Sequence, residues 1–195
     1  MQISVKGRQL DVGDALRVHV TRAMESLVGR FFDQPIDATV VFSREGHAFR
    51  ADITAHPSRG VLVQGGAVGD DAYVAFDAAA GRVERQLGRY KSRLTQRARG
   101  EGGEGEIVEA QQFIIAADEA DESPVDEHHQ PVIIAEMAAD VPVCTVSGAV
   151  MRLDLANAPA MMFRNSAHGG LNMVYRRPDG NIGWIDPQGG PGKGA

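Results

Sequence analysis

A row of arginines between residues 82 and 97 is the part of the sequence best suited to binding chemistry. Spacings of three and four residues place the row on one side of an α-helix with about 3.6 residues per turn. Its members are Arg82, Arg85, Arg89, Arg93 and Arg97. Because a guanidinium is a planar fork of donors, it matches phosphate oxygens better than an ammonium does. The row therefore favours a partner with a phosphate backbone.

An arginine row can also be an ordinary solvated face that complements the negative end of a helix dipole. Glu84 alone interrupts the positive run from Arg82 to Arg99. Pairing between residues four apart therefore cannot neutralise the row. We accordingly favour a binding surface over a solvated face.

One long helix over residues 70–99 is predicted to hold these arginines in place. Its apolar residues form a separate stripe at helical spacing, which must be buried. The stripe comprises Phe76, Ala80, Val83, Leu87, Tyr90 and Leu94. Asp70 or Asp71 can cap the start of the helix, where a carboxylate satisfies free N–H groups.

The charge of the chain is divided between its halves. The whole chain of 195 residues has a net charge of −6. Residues 1–99 contain 15 Lys and Arg against 11 Asp and Glu, a net charge of +4. Residues 100–195 contain 5 against 15, a net charge of −10. This asymmetry predicts two domains, of which only the first is basic.

The cysteine content and the lack of long apolar runs indicate the cellular compartment. One cysteine, Cys144, excludes an internal disulfide and fits a reducing compartment. With no signal-peptide pattern and no apolar run near the ~20 residues of a membrane helix, the sequence predicts a soluble cytoplasmic protein without a membrane partner.

The predicted fold class is α+β. Residues 1–99 form a β-α-β-β-β-α domain with both helices on one face of a four-stranded sheet. Its strands fall at 1–7, 38–43, 48–56 and 61–64, and its first helix opens at Asp11 or Asp14 and stops before Pro35. Residues 100–130 are predicted to be a flexible, acidic linker without Lys or Arg.

Residues 131–187 form the second predicted domain, ordered β-α-β-β-β, and a flexible tail follows at 188–195. Strands are expected at 132–137, 160–164, 171–177 and 181–185, with a helix capped by Thr145 or Ser147. So small a unit is near the lower limit for a stable core, which favours a homodimer. We place the dimer contact at Phe163, Val174 and Tyr175.

Candidate catalytic and metal sites are weak. His128 and His129 beside acidic residues could bind a metal, but a flexible linker lacks the scaffold a site needs. Cys144 has no motif that pairs it with a histidine, which favours a small core residue. Gly65, Gly66 and Gly69 lack the lysine of a phosphate loop and fit a turn that enters the helix. The sequence predicts no enzyme, cofactor, metal or small-molecule substrate.

Four motifs resemble the long form of the ribosome hibernation promoting factors, the ribosome-associated inhibitor or sigma-54 modulation protein family. Residues 70–77, DDAYVAFD, resemble the family's D-x-Y-x-A-I-D, and residues 83–91, VERQLGRYK, resemble E-R-Q-L-R-K-Y-K. Residues 162–165, MFRN, resemble V-F-R-N, and residues 172–183, NMVYRRPDGNIG, resemble N-V-V-Y-R-R-x-D-G-x-x-G. Gly81 and Gly88 depart from the family pattern, which usually has polar or basic residues there.

The resemblance implies a stress-response factor that silences translation reversibly. Its first domain would occupy the mRNA and tRNA path of the 30S subunit through 16S rRNA, and its second would pair with a copy on another 70S ribosome to form a 100S particle. By motif, the rRNA contacts would be Arg82, Arg85, Arg89, Lys91 and Arg93. By position on the fold, Arg22, Arg17 and Lys6 are further candidates.

Two other functions stay open at this point. The chain could be a dimeric RNA-binding regulator of free mRNA or small RNA, or a protein-interaction module whose arginines meet an acidic partner. Tyr175, Arg176 and Arg177 could likewise form a second RNA patch, although their acidic surroundings favour a strand face with Tyr175 in the dimer contact.

Overall fold

The computed structural model describes residues 1–97, 106–115 and 132–187. The first unit consists of β1 (Gln2–Arg8), α1 (Asp14–Gly29), β2 (Asp37–Glu45), β3 (Ala48–Ser58), β4 (Val61–Gly69) and α2 (Ala72–Arg97). The second consists of β5 (Ile107–Ile115), β6 (Ile133–Cys144), α3 (Val146–Leu155), β7 (Ala160–Asn165), β8 (Leu171–Arg176) and β9 (Ile182–Ile185). The predicted α+β class is confirmed.

The first sheet has the order β1-β2-β3-β4, with β1 parallel to β2 and the other pairs antiparallel. Because side chains alternate along a strand, one face collects the apolar residues and both helices cover it. Val40 and Ile53 are opposite each other in the register and are buried. Phe42 and Phe76 join the sheet to α2, with ring centroids 6.5 Å apart.

The start of α2 agrees with the sequence prediction. The Val74 N–H donates to Asp71 Oδ1 at 2.8 Å, so Asp71 supplies the predicted cap. His19 of α1 lies 3.2 Å from Asp77 and edge-on to Tyr73 and Phe76. These contacts fix the beginning of α2 against α1.

The three glycines before α2 differ from the prediction, because they lie inside β4 and not in a turn. Gly65 is opposite Ile53 in the sheet and faces α2. A Cβ at Gly65 would stand 2.8 Å from Val83 Cγ2, and a Cβ at Gly69 would stand 2.6 Å from the Ala75 nitrogen. Glycine here lets the helix approach the strand closely.

The second unit contains a strand that the sequence prediction missed. β5 lies within the predicted linker and pairs antiparallel with β6 over its whole length. Ile107, Val108 and Ala110 are half-buried, which gives the strand some apolar contact despite its acidic neighbours. The sheet order is β5-β6-β7-β8-β9, so this unit is β-β-α-β-β-β.

The core of the second unit corrects part of the predicted dimer contact. Phe163 and Val174 are fully buried, together with Ala149 and Leu153 of α3. They cannot face a second copy in this fold. Thr145 caps α3 as expected, with its Oγ1 accepting from the Gly148 N–H at 3.2 Å.

The two units are in contact along α3. Met151 and Leu155 are buried in the core cluster of the first unit, and the Arg152 guanidinium donates to the Gly60 carbonyl oxygen. Within the described ranges, no helix is both long and apolar enough to cross a membrane. The predicted linker beyond β5, the tail at 188–195, the side chains of Leu94 and Arg97, and residues Arg99, His128 and His129 lie outside the described residues.

Candidate nucleic-acid interface

Helix α2 presents the arginine row outward because its other side is fixed to the sheet. Val83, Leu87 and Tyr90 are buried beneath the helix. The arginines on the other side of the helix are all exposed, namely Arg82, Arg85, Arg89 and Arg93. The two stripes predicted from the spacing are therefore confirmed in residues 76–93.

The acidic residue inside the row is paired away from it. Glu84 Oε1 lies 2.8 Å from Arg30 Nη1, at the end of α1. Both side chains are about half exposed, so this pair contributes little to stability. Its consequence is electrostatic, because among the described residues no carboxylate forms an ion pair with the α2 arginines.

Several of the predicted contact residues also hold the fold together. The Arg82 guanidinium donates to the Gly66 carbonyl oxygen, and Lys91 Nζ donates to the Phe31 carbonyl oxygen at 2.7 Å. Arg89 Nε donates to the Arg85 carbonyl oxygen one turn back, at 3.3 Å. Arg85 and Arg93 make no side-chain hydrogen bond or ion pair within the described chain, which leaves their guanidiniums available to a ligand.

The candidates outside α2 separate into two kinds. Arg17 donates to the Val5 carbonyl oxygen at 2.8 Å and to the Val12 carbonyl oxygen at 3.1 Å. It therefore ties α1 to β1. Arg22 and Lys6 are exposed and have no side-chain partner among the described residues.

The second unit leaves the other face of its sheet uncovered. Met162 and Met173 are opposite each other in the register, and Met173 is opposite Ile185. Met162 is 52% exposed and Ile185 is 44% exposed. Tyr175 shares this face and lies over Gly183, where an added Cβ would be 2.3 Å from its ring. We call these residues the outer face: Met162, Leu171, Met173, Tyr175 and Ile185.

The motif at residues 172–183 is largely structural. Asn172 accepts from Asn165 Nδ2 at 3.0 Å and from Trp184 Nε1 at 2.9 Å, and it donates to Asp186 at 2.8 Å. Arg176 pairs with Asp154 at 2.9 Å, and Arg177 pairs with Asp179 at 3.0 Å. Since both guanidiniums are compensated, the structure gives little support to a second RNA patch there.

The turn between β8 and β9 is held by one carboxylate. The Asn181 N–H donates to Asp179 Oδ1 at 3.0 Å, and this bond, with the Arg177 side chain, holds the pKa of Asp179 below its usual value. Gly180 completes the turn with a φ of 83°, a conformation that favours glycine.

The remaining chemical candidates show no catalytic or metal-binding arrangement in the described part of the chain. Cys144 is half-buried at the end of β6, next to Gly148. Across residues 1–97, 106–115 and 132–187, no three His, Cys, Asp or Glu side chains cluster as metal ligands would.

Sequence reasoning missed the cleft between α2 and α3. Arg89 and Arg93 line one wall of this cleft, and Asp154 and Arg176 line the other. The cleft has a volume of about 390 Å³. The sequence contained a signal for this contact. Ala149 and Leu153 pack on the sheet of the second unit, whereas Met151 and Leu155, also four residues apart, form a second apolar side of α3.

Two family models match the chain. The model described as sigma 54 modulation protein / S30EA ribosomal protein matches residues 3–95. The model for the C terminus of the same proteins matches residues 128–183. Together they cover most of both units, with β5 outside either match.

Curated relatives cover the whole chain. The ribosome hibernation promotion factor of Bradyrhizobium diazoefficiens is 34% identical, over 100% of this chain and 98% of its own length. That of Rhizobium meliloti is 36% identical, over 95% of this chain and 97% of its own length. The solved N-terminal domain of Thermus thermophilus Protein Y is 35% identical over 46% of this chain and 99% of that domain, with a TM-score of 0.41. With both domains present, the chain belongs to the long form of the ribosome hibernation promotion factor family.

Proposed function

We propose that this chain is a ribosome hibernation factor that binds the 30S subunit through 16S rRNA in the mRNA and tRNA path. Bound there, it would block translation by occupying the path, so no catalytic group is required. One observation carries the proposal: α2 exposes Arg82, Arg85, Arg89 and Arg93, which have no carboxylate partner among the residues that the structure describes, in a chain of the hibernation promotion factor family.

The row suits structured RNA that is recognised through its backbone. Each phosphate that an arginine neutralises releases condensed counterions, so affinity should be high and should fall steeply with salt. A straight helix follows phosphates without reading base edges. Arg85 and Arg93 are the strongest candidates, because their guanidiniums contact no partner within the described ranges, and Arg89 lies between them.

The decisive test is sedimentation of purified ribosomes with the full chain and with Arg85→Glu/Arg89→Glu. We expect the variant to lose binding while its circular dichroism stays unchanged, because both side chains lie outside the core. The matched control Arg8→Glu/Arg44→Glu makes the same change of net charge at exposed positions away from α2. It should still bind.

Unchanged binding by the α2 variant would contradict the proposed role of the row. Binding to free RNA without association to ribosomes would instead favour the dimeric regulator of mRNA or small RNA. Absence of binding to both would favour a protein partner.

We further propose that the second unit forms a homodimer through the outer face and thereby joins two 70S ribosomes into a 100S particle. The support is an uncovered apolar sheet face on a small unit. Apolar area of this kind is what obligate homodimer contacts bury.

Met162→Asp is expected to give monomers that bind 70S ribosomes but form no 100S particles. The substitution places a charge on an exposed position, so the unit itself should fold. Phe163→Asp is the contrast, because it places a charge inside the core and should unfold the unit. Light scattering measures the mass, and persistent dimers of Met162→Asp would contradict this contact.

A further inference from the structure

Helix α3 has apolar residues on two sides, and its own sheet covers only one of them. Ala149 and Leu153 pack on the second sheet, with Phe163 and Val174. Met151 and Leu155, displaced around the helix, are 6% and 3% exposed. A helix that is apolar all round needs a second partner.

The first unit supplies that partner. Met151 and Leu155 belong to the core cluster that also holds Leu87 and Tyr90 of α2. Arg152 is buried beside them, and its guanidinium donates to the Gly60 carbonyl oxygen in the turn between β3 and β4. A buried guanidinium is costly unless its N–H groups have acceptors. The two units must therefore keep the arrangement in which the Gly60 carbonyl oxygen accepts from Arg152.

Docking places the end of α3 against the arginine row. Arg89 and Arg93 share the cleft with Asp154, Asn157 and Arg176. Asp154 is already paired with Arg176 at 2.9 Å, so no ion pair of the described residues crosses the cleft to α2. Apolar packing and the Arg152 contact therefore hold the two units together.

We propose that the chain has a closed form, in which its own second unit docks on α2 and competes with RNA for Arg89 and Arg93. The inference rests on the proposed role of the arginine row. An RNA backbone that follows the row as far as Arg93 must enter the space that α3 occupies. RNA binding then requires the closed form to open.

The closed form lowers the apparent affinity for RNA, because only the open chains bind: the apparent affinity is the intrinsic affinity multiplied by the open fraction. A chain that is closed about nine tenths of the time binds about tenfold more weakly than an open one. Salt separates the two contacts, because it weakens phosphate binding and leaves apolar packing nearly unchanged.

Docking itself can be measured without RNA. In the full chain with carbon-13 methyl-labelled methionine, we expect nuclear Overhauser contacts between the Met151 methyl group and the Tyr90 ring, since both line the cleft. The Met151→Leu spectrum assigns the signal. Absence of these contacts in the wild-type chain overturns the closed form.

Competition is tested with Met151→Ser/Leu155→Ser, which removes the docking side chains without adding charge. We expect it to bind purified 30S subunits about tenfold more tightly than the wild-type chain. The matched control Val132→Ser/Ile134→Ser removes two exposed apolar side chains from the same unit and should bind like wild type. Trp184 fluorescence verifies that the second unit of each variant is folded.

Equal affinity of the docking variant and the wild-type chain overturns competition, as does an equal gain in the control. If no chain binds subunits, the proposed function fails and competition with it. The Met151 contacts decide docking independently of that result.

Discussion

At the scale of single residues, the basic side chains of the first unit differ by what their guanidinium and ammonium groups already contact. Arg17 of α1 donates to the Val5 carbonyl oxygen of β1, and Lys91 of α2 donates to the Phe31 carbonyl oxygen just beyond α1. Arg85 and Arg93 are exposed, and their guanidiniums make no hydrogen bond or ion pair with the described residues. Basic residues that look alike in the sequence thus differ in the structure: some are bound to the backbone of the fold, and others extend into solvent.

Arg17→Ala should lower the free energy of unfolding of the first unit by roughly 1–3 kcal/mol, because charged hydrogen bonds to the Val5 and Val12 carbonyl oxygens are lost. Arg22→Ala should leave it unchanged within about 0.5 kcal/mol. Urea denaturation followed by circular dichroism measures both. Equal stability of the two variants would contradict a structural role for Arg17.

At the scale of elements, α2 combines a favourable start with two unfavourable glycines. Gly81 and Gly88 each lower helix propensity by about 1 kcal/mol relative to alanine. A Cβ at Gly81 would be 3.5 Å from an Arg85 nitrogen, and a Cβ at Gly88 would be 3.9 Å from the Phe31 ring. Ordinary van der Waals contact at both positions means that alanine fits.

Gly81→Ala and Gly88→Ala should each stabilise the first unit by up to about 1 kcal/mol. Gly65→Ala is the matched contrast, because its Cβ would stand 2.8 Å from Val83 Cγ2 and push α2 away from β4. It should destabilise the unit by about 1–3 kcal/mol. Thermal unfolding of the three variants gives the comparison, and stabilisation by Gly65→Ala would show that the helix moves freely over the strand.

At the scale of the whole molecule, docking links the stabilities of the two units. The single tryptophan, Trp184, lies on β9, so its fluorescence reports the second unit alone. If docked chains outnumber undocked chains by about tenfold, docking adds roughly 1.4 kcal/mol to the free energy of unfolding of that unit.

Leu155→Ala should therefore lower the free energy of unfolding reported by Trp184 by no more than about 1–2 kcal/mol. Phe163→Ala should lower it by about 3–5 kcal/mol, because it creates a cavity in the unit's own core. Urea titration of both variants tests this difference. A loss at Leu155 as large as that at Phe163 would mean that Leu155 belongs to the core of the second unit.

Features that depend on neighbouring residues could be predicted from the sequence. The spacing of the α2 residues distinguished the buried stripe from the arginines. Residue type narrowed each helix cap to two candidates, of which the structure uses Asp71 and Thr145. β5 was missed because acidic residues surround it, although pairing with β6 outweighs its composition.

The sheet face proposed for the dimer contact could not be predicted from the sequence for a similar reason. Met161, Met162 and Phe163 are consecutive and apolar, so alternation does not show which of them turns inward. Packing of α3 decides it, and places Phe163 inside and Met162 outside. The docking of α3 on α2 depends on contacts between distant residues, such as Arg152 with Gly60, that no local pattern contains.

The ion pair between Glu84 and Arg30 has a consequence for the speed of encounter. While Arg30 pairs with Glu84, the one carboxylate between Arg82 and Arg93 is compensated, even though the chain carries a net charge of −6. If the row binds a polyanion as proposed, this local excess of positive charge should speed their encounter. Without Arg30 the Glu84 carboxylate would be uncompensated beside the row, and we expect association to slow although no arginine of the row had changed.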